Sequence, residues 1–200
     1  MKHLPSQSLR VLAFAGLLGA GSTAGAAVIQ LDFMGTAGTG LLPGNENPAA
    51  VSPAFGSEIG AGLFYDDTSN TLTLNYTFES LTGGIDTSIA SGMHLHDAGA
   101  GSPFTQNGGI VFNLNSGIDT NVALTTPLIA NGATSGTVSG TISLSEAQEA
   151  ALLDSRFYLN IHSASFGGGE LRANLVPVPE PSTILLGALA GLGFLRRRRR

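Results

Sequence analysis

Leu72, Leu74, Tyr76 and Phe78 alternate with Thr71, Thr73, Asn75 and Thr77. A period of two puts the apolar set on one face of a strand and the polar set on the other. Ile59, Ala61, Leu63 and Tyr65 form a similar row just before it, and residues 66–70 (DDTSN) supply a turn, so the two rows predict a hairpin. The same reading predicts strands over 28–34, 92–96, 110–114, 134–144, 157–162 and 170–175.

Residues 145–154 break the pattern. Ser145 followed three residues later by Gln148 has the form of a capping box, and Ala147, Ala150, Ala151 and Leu152 favour a short helix. Residues 34–57 contain Asn45-Glu46-Asn47-Pro48, too polar and proline-interrupted for a central strand, and read as a long loop over one face. Short strands with Gly-rich turns predict an all-β domain: a Greek-key-like β-sandwich or small barrel of about seven to nine strands with one short helix.

Both ends depart from this pattern. Lys2 and Arg10, the apolar run 11–18 and the small residues Ala24-Gly25-Ala26 have the three-part form of a secretory signal peptide, with cleavage expected after Ala26. The apolar run is well below the ~20 residues that span a bilayer. At the other end a proline-rich segment (176–181), an apolar run (184–195) and five terminal arginines follow in order. The arginines resist translocation, so the run predicts transient membrane association. The expected organisation is a signal peptide over 1–26, a β domain over 27–175 and a sorting segment over 176–200.

Charge narrows the partners. Between residues 28 and 178 two arginines, Arg156 and Arg172, stand against thirteen carboxylates, a formal balance of −11. Phosphate neutralisation needs clustered Lys and Arg, so nucleic acid is excluded and an anionic membrane surface is a poor partner. Cysteine is absent, so no disulfide supports the fold.

The candidate chemistry sits on two predicted strands. His94 and His96, two residues apart, share one face, while Met93 and Leu95 enter the core. Phe157, Leu159 and Ile161 form an apolar row downstream that leaves Tyr158, Asn160 and His162 opposite. If those strands are neighbours, His94, His96 and His162 could hold copper or zinc, with Asp97 or Glu170 as a fourth ligand. The competing reading is a hydrogen-bonded polar cluster, including Asp97, Asn160, Glu170 and Arg172, that fixes the loops. Spacing alone does not establish convergence, and the polar cluster is the default.

Other chemistries lack their patterns. There is no Gly-x-Ser-x-Gly elbow, no phosphate-binding loop with its lysine and no His-Glu-x-x-His helix. No spacing singles out a carboxylate pair for glycoside hydrolysis. The acidic turn at 66–70 lacks a spaced set of further oxygen ligands for calcium, and Asn75-Tyr76-Thr77 is a sequon by coincidence.

Two resemblances add to this. Pro179-Glu180-Pro181, the apolar run and the arginines from Arg196, Arg197 and Arg198 to the end resemble the PEP-CTERM sorting signal of Gram-negative bacteria. That likeness implies an exosortase as processing partner, after signal peptidase, and delivery to an envelope, surface or exopolysaccharide environment.

Residues 45–48 (NENP), 93–96 (MHLH) with Gly99 and Gly101, 107–111 (NGGIV), 158–163 (YLNIHS) and 169–173 (GELRA) together resemble a chordin-type CHRD domain. The family tends to carry a proline between His162 and the Gly-Glu pair and a glycine after Arg172; here residues 165–168 read SFGG and Ala173 follows. The resemblance implies an extracellular binding or structural module without established catalysis, with exopolysaccharide or a surface protein as its partner. The alternative is a metal-dependent redox or hydrolytic enzyme using the three histidines. The His-x-His strand also looks like that of Cu/Zn superoxide dismutase, but the chain has too few histidines for a two-metal site, so that activity is not expected.

Overall fold

The computed structural model describes residues 27–179. In chain order the elements are β1 (Val28–Gly35), β2 (Gly38–Thr39), a 3-10 turn (Pro43–Asn45), β3 (Phe55–Glu58), β4 (Leu63–Asp66), β5 (Thr71–Glu79), β6 (Met93–Asp97), β7 (Gly109–Asn113), β8 (Val122–Leu124), β9 (Gly136–Ser143), α1 (Glu146–Leu153), β10 (Phe157–Ser163) and β11 (Phe166–Pro177). The strands form one antiparallel sheet in the order β7-β6-β10-β11-β1-β4-β5-β9-β8, with β2 beside β1 and β3 beside β5. The sheet curls into a nearly closed barrel.

The expected hairpin is β4–β5, paired through Phe64↔Thr73 and Tyr65↔Leu72. Its first strand starts at Leu63, later than the apolar row suggested. Gly60 and Gly62 adopt φ of +59° and +71°, left-handed values that break an extended strand before it begins. The long stretch read as loop holds β2, β3 and the 3-10 turn. The expected helix is α1, where Gln148 Oε1 accepts from the Ser145 backbone N–H at 2.8 Å.

The barrel interior is the apolar set that alternation selects. Leu72, Leu74, Tyr76 and Phe78 of β5 meet Leu31 and Phe33 of β1, Met93 and Leu95 of β6, Phe157, Leu159 and Ile161 of β10, and Leu171, Ala173 and Leu175 of β11, all buried. Each such large side chain contributes about 1.5–3 kcal/mol on removal from water.

The outer face differs between the two sides. On β5 the outward residues Thr71, Thr73, Asn75 and Thr77 are half-buried. On β6, β10 and β11 the outward residues His94, His96, Tyr158, Asn160, His162, Glu170, Arg172 and Asn174 are buried as well. Loops cover them, so the polar face is roofed rather than wet. Leu42 lies beside β11, through Leu42↔Arg172, and Leu41 beside β3, through Leu41↔Gly56. The Asn47 amide donates to Thr105 O, and Asn107 Nδ2 donates to Asn47 O at 2.7 Å, tying the segments around Asn47 and Asn107 together.

Candidate metal centre

β6 and β10 are neighbours, with His94 opposite Asn160 and His96 opposite Tyr158. His162 lies two residues beyond Asn160 on the same face. The His94 ring centroid is 5.4 Å from that of His96 and 4.8 Å from that of His162. One ring nitrogen from each of the three lies within 4.8 Å of the others. Among the described residues this trio is the group of His, Asp and Glu side chains arranged to take a metal ion.

Each imidazole is anchored by one nitrogen to a backbone carbonyl. His94 Nε2 meets Ile89 O at 3.2 Å, His96 Nδ1 meets Gly108 O at 3.0 Å, and His162 Nδ1 meets Gly167 O at 2.9 Å. A carbonyl can only accept, so the anchored nitrogen carries the proton and the opposite nitrogen carries a lone pair. Those opposite nitrogens, His94 Nδ1, His96 Nε2 and His162 Nε2, are buried without a hydrogen-bond partner. Backbone anchoring of the distal nitrogen is how proteins orient metal-ligating histidines.

Electrostatics keep the trio neutral. Burial pushes His96 down to about 4, and the charged forms of His94 and His162, together with Arg172, push the same way. Burial also holds His94 below its ordinary value, with His162 adding to the effect, and burial lowers His162. Neutral imidazole is the form that ligates a metal.

A second layer fixes His96. The Tyr158 ring stacks on it at 4.7 Å with the planes 6° apart, and the Arg172 guanidinium carbon lies 3.7 Å from the centroid of the same tyrosine ring. Gly108 serves both partners: its N–H donates to Tyr158 Oη at 3.0 Å and its carbonyl accepts from His96. A Cβ at residue 108 would lie 1.7 Å from Asp97 O, so only glycine permits this approach.

Arg172, fully buried, holds the loop in place. It donates to Asn107 Oδ1 at 2.8 Å, Gln106 O at 2.7 Å and Pro103 O at 3.0 Å. The remaining residues considered from sequence lie along this face, with Asn160 directly across from Arg172 in the β10–β11 ladder. Asp97 pairs with Arg156 and accepts from Gly99 N at 2.7 Å. Glu170 accepts from Thr82 N and from Thr82 Oγ1, the latter at 2.8 Å, holding the segment after β5. Asn160 Oδ1 is buried without a partner. No hydrogen bond or ion pair among the described residues joins Asp97, Asn160, Glu170 and Arg172 to one another.

Tyr158, Gly108 and Glu46 fall within the stretches that carry the CHRD resemblance, and alternation puts Tyr158 on the histidine face, but the sequence assigns none of the three a role at the site. Glu46 is buried, its Oε1 has no hydrogen-bond partner, and burial pushes its carboxyl up to about 7 against the opposing pull of Arg172 and the Asn47 N–H. A Cβ on Gly169 would lie 2.5 Å from Glu46 Oε1 and 2.4 Å from Asn160 Oδ1, so a glycine lets these side chains close over β11. The signal available for Glu46 was a carboxylate flanked by asparagines ahead of a proline, which marks a loop and not a buried acid.

The N-terminal segment 1–26 lies outside the described residues, as do Glu180, Pro181, Arg196, Arg197 and Arg198; Pro179 is the last described position. Among the described residues no helix is long and apolar enough to cross a membrane. Neither the curated proteins nor the solved structures compared with the chain include a significant match. The model of the PEP-CTERM protein-sorting motif matches residues 177–200, which marks the chain for exosortase processing, export and sorting to the surface. The model of the CHRD domain matches residues 38–175, spanning β2 to β11 and every residue of the histidine cluster, and the chain therefore belongs to the CHRD domain family.

Proposed function

We propose that this exported, surface-sorted protein is a metal-binding module that holds one copper or zinc ion on His94, His96 and His162. In this reading it serves the envelope or exopolysaccharide matrix as a binding or structural component. The supporting observation is the set of three buried lone-pair nitrogens on facing imidazoles. A polar cluster would give each of them a donor. Three acceptors facing one another supply none, and each buried acceptor left unsatisfied costs about 1–3 kcal/mol. A metal ion answers all three at once.

Closure of the site favours holding over turnover. A catalytic metal keeps an open position for water or substrate. Here the free nitrogens are themselves buried, so the enzyme reading requires the covering loops to move. Export through a signal peptide cleaved after Ala26 belongs to the same reading.

Metal analysis of the full chain purified under metal-replete conditions tests this. About one equivalent of copper or zinc is expected, lost in His94→Ala and His96→Ala. A metal-free wild-type protein would refute the metal reading. Fractionation of cells expressing a tagged form tests the sorting, and unprocessed protein retained in the cytoplasm would refute it.

A further inference from the structure

The centre also discriminates between its two candidate metals. Resting on the metal-binding reading above, we infer that its cognate ion is cuprous copper and that zinc is a poor occupant. Three structural facts converge on this choice.

The first is the donor set. Among the described residues it consists of three neutral imidazoles and nothing else. The carboxylates that could have joined them are engaged elsewhere: Asp97 with Arg156, and Glu170 with Thr82. Asp86, whose backbone N–H donates to His162 O, is half-buried near that histidine, but it spends Oδ1 on the Ser88 N–H and hydroxyl. The Met93 sulfur lies on the interior face, against the Tyr76 hydroxyl. Zinc sites are almost always four-coordinate, with water or a carboxylate completing any set of three histidines. Zinc and cuprous copper are both closed-shell ions, but the singly charged cuprous ion is content with three ligands.

The second fact is closure. The three free nitrogens are inaccessible to solvent, so a metal-bound water has no place unless the roof opens. The third is charge. Arg172 is a fully buried cation with neutral hydrogen-bond partners, stacked through Tyr158 onto His96. Desolvation grows with the square of the ion's charge, and repulsion from the guanidinium doubles for a divalent ion. Most of the domain's carboxylates lie at its surface and are screened within about 8–10 Å at ordinary salt; of the two buried ones, Glu46 offsets part of the Arg172 charge and Glu170 is turned to Thr82. The first two facts favour a three-coordinate ion and the third a monovalent one; together they leave zinc short of a ligand and with more charge to bury.

Competition titrations of the full chain decide the matter. Cuprous copper is titrated under anaerobic, reducing conditions against bicinchoninate, and zinc against a chromophoric zinc chelator. One equivalent of cuprous copper is expected to bind at least about a hundredfold more tightly than zinc. Asn160→Asp places a carboxylate on the residue directly across from His94, and it should narrow that gap by about tenfold. Zinc binding as tightly as copper in the wild-type protein would overturn the inference, as would an unchanged ratio in a folded Asn160→Asp. If Asn160→Asp fails to fold, the wild-type comparison alone decides. Failure to bind either ion would refute the underlying metal reading itself, a different result from binding both equally.

Discussion

Replacing Glu46 with glutamine should make the metal-free domain more sensitive to acid, although the substitution removes an acidic group. Two opposing titrations set the expectation. His96 has a folded value of about 4 against an ordinary 6.5. The unfolded chain therefore takes up that proton first as pH falls. The stability His96 contributes is complete above 6.5 and is lost as pH drops toward 4. Glu46 has a folded value of about 7 against an ordinary 4.5. Its contribution is complete below 4.5 and is lost as pH rises through 7.

Between about pH 7.5 and about pH 5, linkage gives a loss of about 2 kcal/mol from His96 and a gain of about 2 kcal/mol from Glu46. The two nearly offset. His94 and His162, both lowered, leave the wild-type domain less stable on the acid side. Asp66 and Asp86, held below their ordinary values, would add to the loss only at lower pH. Glu46→Gln removes the one offsetting group, so its loss over the same interval should exceed the wild-type loss by about 2 kcal/mol. Urea unfolding of both proteins, stripped of metal with a chelator, measures this at the two pH values. Parallel pH dependences would refute the assignment of Glu46 as a buried acid. A wild-type domain more stable near pH 5 would refute the neutral histidine cluster.

Other substitutions separate the parts of the site. Gly108→Ala drives a methyl group against Asp97 O and displaces the carbonyl that orients His96. We expect a destabilisation of at least about 2 kcal/mol by urea unfolding and weaker metal binding in whatever remains folded. Asp97→Asn removes the partner of Arg156 at a partly exposed ion pair, so it should cost no more than about 1 kcal/mol and leave metal stoichiometry unchanged. Loss of metal in that variant would show that Asp97 is a ligand after all.

Much of the barrel follows from period-two alternation, and the face assignments at 93–96 and 157–162 hold residue by residue. Met93, Leu95, Phe157, Leu159 and Ile161 are inside, with the histidines opposite. Three strands carried no readable signal. β2 is two residues long, β8 is three, and β3 has one aromatic followed by Gly-Ser-Glu, so none offers enough positions to define a period. At 59–62 the period was present but two left-handed glycines overrode it.

The histidine trio was legible as a residue set but not as a place. Pairing of β6 with β10 joins segments far apart in the chain, and nothing local to either strand specifies that partner. The burial of the polar face was also hidden. Alternation normally reads polar residues as solvent-facing, and here the roof over them is built by loops, which lack periodicity. The anchoring carbonyls of Ile89, Gly108 and Gly167 are backbone groups that any sequence would possess.

The strand that opens the described domain and the strand that closes it are paired with each other, Leu31 opposite Pro177, and the Val178 N–H donates to Gln30 O at 2.9 Å. Chain entry and chain exit therefore emerge side by side at one pole. Tension applied between the two ends would load the β1–β11 ladder from its open mouth and part its hydrogen bonds one after another, as a zipper opens, instead of shearing them together. Held from that pole by either end, the domain would carry little of the load through the strands that bear His94, His96 and His162.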